Sequence, residues 1–307
     1  MKQNYLNFCI KESSYSYIIR YIKSRIFRFL TINSLDIFVR GNDIISNDPQ
    51  VLGVHEPIIT KLINNFCDKG YSDFFLDIGA NIGFTSCQNG PSFKIIYMFE
   101  PNPLCSKILE VNSKICLSEK KYTIFNFGLG NENKKSILTI PKKNWGGAFI
   151  KDNTNSYDET IFAKKDQFDT YVDSNYFKLE IEIRDTEKQL KNIFNDLVSK
   201  NFNKGVIKID VEGYEFAVLE GIALAIPKNI KIFIIFESWN KNFNVNNILK
   251  LFNGRAEIYK LVRKYPWEKK WPKIIKIFSI LLNRKFINEV VINKDNDWSG
   301  DLILKIN

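Results

Sequence analysis

Short apolar runs alternate with amphipathic segments from residue 73 onward, and this alternation restricts the fold more than any other feature. The apolar runs predict strands at 73–78, 93–99, 121–127, 205–210 and 230–236, with two more near 256–262 and 300–306. The segments between them predict helices at 83–89, 103–117, 213–225 and 243–252. Strands and helices that alternate in this way form a mostly parallel sheet with helices on both faces. We therefore predict an α/β fold with a seven-stranded sheet.

The regions outside this alternation predict the domain organisation. Residues 1–50 form a basic extension, and apolar and basic residues recur at helical spacing within 15–30. The highly charged stretch 178–200 predicts a surface helix within an insertion at about 152–200. We interpret the chain as a helical, basic extension followed by one α/β domain at 51–307.

The chain carries a net charge of +10 and has an isoelectric point near 9.2. Such a charge attracts phosphates, nucleic acids and anionic membrane surfaces. Because Lys, Asn and Ile are abundant along the whole chain and no nucleic-acid-binding module is recognisable, we do not expect a nucleic acid partner. Peripheral contact with a membrane stays open. The spacing of the five cysteines fits neither a zinc site nor a disulfide framework, and the N-terminus lacks the apolar core of a signal peptide, which predicts a cytoplasmic protein.

The stretch "FFLDIGANIGFTS", residues 74–86, predicts a strand, a tight glycine turn and the start of a helix. A dinucleotide-binding turn would have glycine where this chain has Asn81, so a pyrophosphate pressed against the backbone is disfavoured. Asn tolerates left-handed backbone angles, which preserves the turn. The next strand ends at Glu100, about twenty residues on, where a carboxylate can accept hydrogen bonds from two ribose hydroxyls. A ligand with a ribose but no pyrophosphate fits, and S-adenosylmethionine is the common one.

Several motifs together resemble the FkbM-type methyltransferases. They are "FLDIGANIGFTS", "IYMFEPNPLCSKILEVN", "FNFGLGNENKKSILTIP", "VIKIDVEGYEFAVLEGI" and "IFIIFE", in the order of that family, and the resemblance covers roughly residues 54–240. It implies a Rossmann-like class I fold and S-adenosylmethionine-dependent methylation of a hydroxyl group. The acceptor implied is a sugar, such as a nucleotide-linked sugar or a precursor of a surface polysaccharide or glycolipid. Methylation of RNA, or a non-catalytic scaffold that binds S-adenosylmethionine or a glycan, are the alternatives.

The resemblance assigns cofactor roles position by position. The glycine turn would line the methionine end through Gly79, Ala80, Asn81 and Gly83. Asp77 would receive the ammonium of the cofactor, and Glu100 would hold the ribose. The adenine side would be shaped by residues after the second and third strands, namely Pro101, Asn102, Asn126 and Gly128.

Acidic residues after two neighbouring strands predict the catalytic side of the site. Asp210 ends the fourth strand, Glu212 lies in the following turn, and Glu237 ends the fifth strand. An aliphatic hydroxyl is a poor nucleophile, so a base or a metal must act on its proton. Asp210 and Glu237 occupy the positions at which catechol-type O-methyltransferases keep magnesium ligands, and carboxylates suit Mg²⁺ or Mn²⁺. A metal bound by this pair is therefore one hypothesis.

His55, the only histidine, offers a second hypothesis for the base. It precedes a helix predicted at 57–68, and its unperturbed pKa suits proton transfer near neutral pH. We expect His55 to deprotonate the acceptor hydroxyl, with Glu56 or Asp210 orienting the imidazole.

Two aromatic segments predict contacts with the acceptor. In "TIPKKNWGGAFI", residues 139–150, the Trp145 loop can cover a sugar ring by apolar contact. The basic tail "RKYPWEKKWPKIIKIF" can hold the diphosphate of a nucleotide-linked sugar, or it can lie at a membrane interface. The sequence leaves both alternatives open.

Overall fold

The computed structural model describes residues 13–41, 43–155, 157, 171–239, 245–264, 270–282, 287–292 and 298–307. The helices in these ranges are Ser14–Leu30 (α1), Asn47–Val51 (α2), Pro57–Asp68 (α3), Phe84–Asn89 (α4), Pro103–Cys116 (α5), Thr186–Ser199 (α6), Glu215–Ala225 (α7), Val245–Leu251 (α8) and Lys273–Leu282 (α9). The strands are Phe74–Ile78 (β1), Ile95–Phe99 (β2), Lys121–Phe125 (β3), Gly128–Gly130 (β4), Lys134–Pro141 (β5), Phe149–Ile150 (β6), Tyr176–Asp185 (β7), Lys204–Ile209 (β8), Lys231–Ser238 (β9), Ala256–Lys264 (β10), Ile287–Val291 (β11) and Gly300–Ile306 (β12).

The larger sheet has the strand order β11–β10–β12–β9–β8–β1–β2–β3. Strands β3, β2, β1, β8 and β9 are parallel, and β12 lies antiparallel between β9 and β10. The predicted Rossmann-like α/β class is confirmed, and all the predicted strands are present within a few residues of their expected bounds. The sheet is mixed, however, and it has eight strands in place of seven because β11 adds an antiparallel edge next to β10.

The central strands are buried on both faces. Every residue of β1 and of β2 is buried. Since alternate side chains of a strand point to opposite faces, β1 contributes to two cores. Phe74 and Leu76 pack with α6 and α7, whereas Phe75 packs with α3 and α5. By the same alternation Asp77 points to the face that α3 and α5 cover, which places a carboxylate in an otherwise apolar layer.

A second, four-stranded sheet has the order β4–β7–β5–β6. It corrects the prediction of a helix over 178–200, because residues 176–185 form β7 and only 186–199 are helical. Within β7 the apolar residues alternate with charged ones, as in the pairs Lys178–Leu179 and Glu180–Ile181. Ile181 is buried against β5 and α7, while Glu180 is exposed. This period of two is typical of a half-buried strand, and the high charge content concealed it.

The N-terminal region contributes both an exposed helix and a packed segment. Helix α1 has no buried residue, whereas the segment after it docks on α5. The Phe38 N–H donates to Asn112 Oδ1 at 2.7 Å, and Asn112 Nδ2 donates to the Phe38 carbonyl at 3.0 Å. Further along this segment, Ile45 packs in the apolar cluster that also contains Phe84. Among the helices described, none is long and apolar enough to cross a membrane.

Candidate functional site

A cavity of about 250 Å³ lies at the carboxyl edge of the larger sheet, between that sheet and the smaller one. Parallel strands β1, β2, β8 and β9 all end there, so their following turns converge on one place. Most of the predicted site residues line it, namely His55, Gly79, Ala80, Asn81, Glu100, Pro101, Gly128, Asp210, Glu212 and Glu237. The fold thus brings the predicted cofactor and catalytic residues together.

The glycine turn has the predicted backbone conformation. Gly79 has φ +89°, and a Cβ at this position would overlap the carbonyl oxygen of Asp210 in the turn after β8. Asn81 adopts φ +51°, in the left-handed region that Asn tolerates. The turn therefore presses β1 against the β8 end, and only a residue without a side chain fits at position 79.

Glu100 is held at the bottom of the turn by two backbone donors. Its Oε2 accepts a hydrogen bond from the Asn81 N–H and its Oε1 accepts one from the Asn102 N–H, both at 2.7 Å. The side chain is buried, and burial raises the pKa of the carboxyl to about 7. Each carboxylate oxygen can accept a further hydrogen bond. The group therefore has the fixed orientation and the free acceptor capacity that a ribose diol requires.

Four predicted cofactor residues do not line the cavity. Gly83, with φ +95°, is the N-cap of α4, and a Cβ there would meet Leu109 of α5 at 2.7 Å. The Asn102 side chain caps α5 by accepting from the Leu104 N–H at 3.0 Å. Asn126 is exposed to solvent. The positions of Gly83 and Asn102 thus serve local packing and helix capping.

Asp77, the fourth of these, lies beneath the cavity in β1. Its side chain is buried, and Oδ2 accepts a hydrogen bond from Ser86 Oγ at 2.6 Å. Burial raises the pKa of this carboxyl to about 6. Within the described residues, Asp77 Oδ1 has no hydrogen-bond partner. A fixed carboxylate with an unused oxygen suits the ammonium role that the resemblance implies.

Other polar atoms at the cavity support a nucleoside ligand with an amino-acid end. In the part of the chain that the structure describes, Asn81 Oδ1 and Trp145 Nε1 are buried without a hydrogen-bond partner. Unsatisfied buried donors and acceptors are costly unless a ligand or water meets them. Together with Glu100 and Asp77, they fit the hydroxyls and the ammonium of S-adenosylmethionine.

Lys208 is a site residue that the sequence interpretation missed. It lies in β8 at the register position of Asp77, and its side chain is 8% exposed. Its Nζ lies 2.9 Å from Asp210 Oδ2 and 3.1 Å from Glu56 Oε2. Burial by itself lowers the pKa of this ammonium, but the carboxylates of Asp210 and Glu56 outweigh burial and hold the pKa well above its ordinary value. A permanently charged, buried cation therefore lies next to acids for which the sequence predicts a catalytic role.

This cation changes the interpretation of Asp210 and Glu237. Both residues line the cavity, as expected for neighbouring strand ends. The Asp210 carboxylate, however, already binds the Lys208 ammonium. Across the described ranges there is no group of three or more His, Cys, Asp or Glu side chains placed to hold a metal. The donor set does not fit the metal hypothesis, because Lys208 supplies the positive charge that a divalent ion would have supplied.

Glu237 lies opposite a second acidic residue. Its partner across the sheet in β12 is Asp301. Burial, and secondarily the charge of Glu237, raises the pKa of the Asp301 carboxyl to about 6. Glu237 itself lines the cavity, where its carboxyl can hydrogen-bond to a polyhydroxylated ligand.

His55 also lines the cavity, and it lies just before α3. Its ring stacks on Phe84 with centroids 4.7 Å apart. Its backbone N–H donates to Gln88 Oε1 at 2.9 Å, and its carbonyl accepts from Gln88 Nε2 at 2.6 Å. Nε2 lies 3.7 Å from Glu56 Oε2. Burial lowers the pKa of the imidazole below 6.5, so the ring is neutral near pH 7.

Three residues that line the cavity have left-handed backbone angles although they are not glycine. They are Glu56 at φ +43°, Asn81 at +51° and Glu212 at +43°. Such conformations are strained for a side chain of the size of glutamate, and they tend to occur at functional sites. The strained turns at 56 and 212 both direct the chain around the same cavity.

The smaller sheet and the Trp145 turn close the cavity from above. Trp145 lies in a short 3-10 turn that lines it, with the indole packed edge-on against Phe177 at 6.1 Å. The guanidinium of Arg40 lies 4.3 Å above the indole ring. The N-terminal region thus supports the turn that the sequence predicts to cover the acceptor. The described part of the basic tail does not line the cavity, and residues 265–269 of it lie outside the described ranges.

Comparison with known families identifies a methyltransferase domain. The model of the FkbM methyltransferase domain matches residues 77–265 of the chain. That range includes the glycine turn, Glu100, the second sheet, Lys208 and the Asp210 turn. It begins after His55 and Glu56. No curated protein matches the chain.

Comparison with solved structures gives distant similarities. Precorrin 8w decarboxylase of Methanobacterium thermoautotrophicum has 10% identity and a TM-score of 0.37, with 81% of this chain and 89% of that chain covered. Magnesium protoporphyrin IX methyltransferase of Synechocystis PCC 6803, with bound S-adenosylmethionine, has 9% identity and a TM-score of 0.40, with 98% and 100% covered. An O-methyltransferase of Bacillus cereus in complex with S-adenosylhomocysteine has 8% identity and a TM-score of 0.35, with 98% and 94% covered.

Proposed function

Because the chain belongs to the FkbM methyltransferase family, we propose that it transfers the methyl group of S-adenosylmethionine to a sugar hydroxyl. One observation carries the proposal, which is that Glu100, His55 and Asp210 line a single cavity. Glu100 suits a ribose, and we call its surroundings the cofactor end. His55 with Asp210 suits an acceptor that must lose a proton, and we call their surroundings the acceptor end. The proposed setting is the synthesis of a surface polysaccharide or glycolipid precursor, as the family resemblance implies.

The residues of the cofactor end bind and orient. Glu100 accepts hydrogen bonds from the ribose hydroxyls, while its own orientation is kept by the Asn81 and Asn102 N–H groups. Asp77 receives the ammonium from below. S-adenosylmethionine, when bound, supplies an electrophilic methyl group on a sulfonium. The protein's task at this end is to hold the acceptor oxygen and the methyl carbon at attack distance.

His55 is the general base in this proposal. Its imidazole is neutral near pH 7 because burial lowers its pKa, so it can take the hydroxyl proton. The imidazolium that results is stabilised by the Glu56 carboxylate, 3.7 Å from Nε2. Lys208 holds Glu56 and Asp210 in place through its two ion pairs. Asp210, oriented by its ion pair with Lys208, accepts a hydrogen bond from the acceptor hydroxyl in this proposal and fixes its orientation.

The charge of the acceptor end favours a neutral sugar ring over a phosphodiester. The acids Glu56, Asp210, Glu212 and Glu237 all line the cavity. Carboxylates accept hydrogen bonds from hydroxyls and repel phosphate groups. This arrangement argues against RNA as the acceptor, although the net charge of +10 is in its favour. The Trp145 turn supplies an apolar surface of the kind that sugar faces contact.

The test combines acceptor identity with the role of His55. Radiolabelled methyl transfer is measured with nucleotide-linked sugars, glycolipid precursors and RNA as acceptors. We expect label in the sugar fraction, as an alkali-stable ether. Label in RNA, or none with any acceptor despite normal cofactor binding, would overturn the assignment in favour of the RNA enzyme or the non-catalytic scaffold.

His55→Gln then tests the base. We expect turnover to fall by about 10²–10⁴-fold, the usual span for a positioned base, with unchanged cofactor affinity. The wild-type rate should rise with pH through a value below 6.5, and the variant should lose this limb. Gln88→Leu serves as the matched control, because it removes the backbone anchor of His55 but leaves the imidazole. If His55→Gln keeps most of its turnover and the same acidic limb, the base is another group, and Asp210 or Glu212 takes that role.

A further inference from the structure

Helix α1 has an apolar face that the rest of the described chain does not cover. Projected at about 100° per residue, the apolar side chains of one face fall within an arc of about 120°. They are Tyr15, Ile18, Ile19, Ile22, Ile26, Phe29 and Leu30. We call this set the α1 apolar face. A soluble helix normally buries such a face against the core.

Six of the seven side chains of this face are exposed, and Ile19 is half-buried. Tyr15 is 74% exposed and Phe29 is 76% exposed, and Ile18 and Ile26 between them are 52% and 54% exposed. No residue of α1 is buried. Contiguous exposed apolar surface of this kind marks a contact with a partner or a membrane.

The charge of α1 identifies the chemistry of the partner. The segment 14–30 contains Arg20, Lys23, Arg25 and Arg28 and has no acidic residue. In the same projection Lys23 and Arg25 lie at the two borders of the α1 apolar face, where long cationic side chains can reach lipid phosphates. Two of the cations stack on tyrosines of the polar side, Arg20 on Tyr17 and Arg25 on Tyr21. An apolar face bordered by cations is typical of a helix that lies in the interface of an anionic bilayer.

We propose that α1 binds the surface of an anionic membrane, with its apolar face among the acyl chains and its cations at the lipid phosphates. The charge also argues against a second copy of the chain as the partner, because two α1 helices face to face would bring only like charges together. Membrane attachment would keep the enzyme where lipid-linked acceptors are found, but the binding itself does not depend on the proposed reaction.

Helix α9 also combines exposed apolar side chains with lysines, and we include it in the same proposal. Ile274, Ile277, Leu281 and Leu282 are 65%, 56%, 66% and 82% exposed. The helix contains lysine at 273 and 276 and no acidic residue. It is preceded by the exposed Trp271, and tryptophan is a preferred residue at membrane interfaces.

The experiment is co-sedimentation of the full chain with vesicles of phosphatidylcholine and phosphatidylglycerol at 7:3, compared with pure phosphatidylcholine. We expect binding to the mixed vesicles, a loss of tenfold or more on pure phosphatidylcholine, and a similar loss in 0.5 M salt. The α1 variant is Ile22→Glu with Phe29→Glu, in the apolar face. Its matched control is Ser16→Glu with Ser24→Glu, which adds the same two charges to α1 outside the apolar face. The α1 variant should lose tenfold or more in binding, and the control should lose a few-fold at most.

All the substituted positions of α1 are exposed, so the melting temperature and the cofactor affinity should stay at their wild-type values. Equal binding by the α1 variant and its control would overturn insertion of the apolar face. Equal binding to both kinds of vesicle would overturn the role of the cations. If the wild type is a dimer that does not bind vesicles, and the α1 variant is a monomer, the α1 apolar face is the contact with a second copy. For α9, the variant Ile277→Glu with Leu281→Glu should also lose binding, and an unchanged affinity would remove α9 from the membrane surface.

Discussion

Replacing Asp77 by Asn should make the protein more stable, and increasingly so as the pH rises. Asp77 is buried in β1 and accepts a hydrogen bond from Ser86. Burial raises the pKa of its carboxyl from 3.8 to about 6. The folded state therefore holds this proton to a higher pH than the unfolded state does. Stability is lost as the pH rises from about 4 to about 6, because the ionised form is disfavoured in the fold.

The size of the effect follows from the pKa difference. A difference of about two pKa units corresponds to about 3 kcal/mol of unfolding free energy at pH 8, of which about 1.5 kcal/mol is already lost at pH 5. The Asn side chain can still accept the Ser86 hydrogen bond but has no proton to lose. Lys208 keeps its ion pairs with Glu56 and Asp210. The stability difference between variant and wild type should therefore grow by about 1.5 kcal/mol between pH 5 and pH 8.

Urea unfolding at several pH values measures this difference. Asp301, whose pKa is also raised to about 6, is present in both proteins and cancels in the comparison. The charge of Asp77 contributes to the raised pKa of Glu100, so its removal lowers that pKa and adds to the difference in the same direction. The control is Asp173→Asn, at an exposed carboxylate whose pKa is lowered by the hydrogen bond from Tyr171. The stability difference between Asp173→Asn and the wild type should stay constant from pH 5 to pH 8, because a carboxylate with a lowered pKa loses its stabilising contribution only as the pH falls below its unfolded pKa. A stability difference for Asp77→Asn that is the same at pH 5 and at pH 8 would refute the argument that burial sets this pKa.

Four further predictions concern the cofactor turn, the buried cation and the metal hypothesis. Glu100→Gln should weaken S-adenosylmethionine binding by about 1–3 kcal/mol in calorimetry, since an acceptor for the ribose is lost; unchanged affinity would remove the ribose assignment. Gly79→Ala should destabilise the fold by about 2–4 kcal/mol because its Cβ would overlap a backbone carbonyl. Gly70→Ala, with a similar φ but open space around it, should cost only about 1–2 kcal/mol, the cost of the left-handed backbone angle alone. Lys208→Met should destabilise the fold by about 1–3 kcal/mol, because it removes the cation that pairs with the surrounding carboxylates. Turnover of the wild type should survive exhaustive chelation. If chelation abolishes turnover and Mg²⁺ restores it, Asp210 is a metal ligand.

The sequence by itself determined those features that depend on neighbouring residues. The strands and helices of the large sheet follow from local periodicity, and the turn at Gly79 and Asn81 follows from backbone angles that few residues tolerate. The carboxyl ends of parallel strands share one edge, so the positions of Glu100, Asp210 and Glu237 along the chain are enough to predict that they face one crevice. The sequence also indicates strand β7, because apolar and charged residues alternate there, but the high charge content favoured a helix in the prediction.

Only the tertiary structure decided which side chains meet across strands. Lys208 was part of a recognised motif, but its role depends on the β1–β8 register that places it opposite Asp77. It also depends on the turn before α3, which brings Glu56 within 3.1 Å. The pairing of β4 with β7 likewise joins segments about fifty residues apart. Register and long-range pairing are set by packing of the whole core, and a buried cation shifts the chemistry of every carboxylate around it, so the local pattern could not decide between a metal site and an ion-pair site.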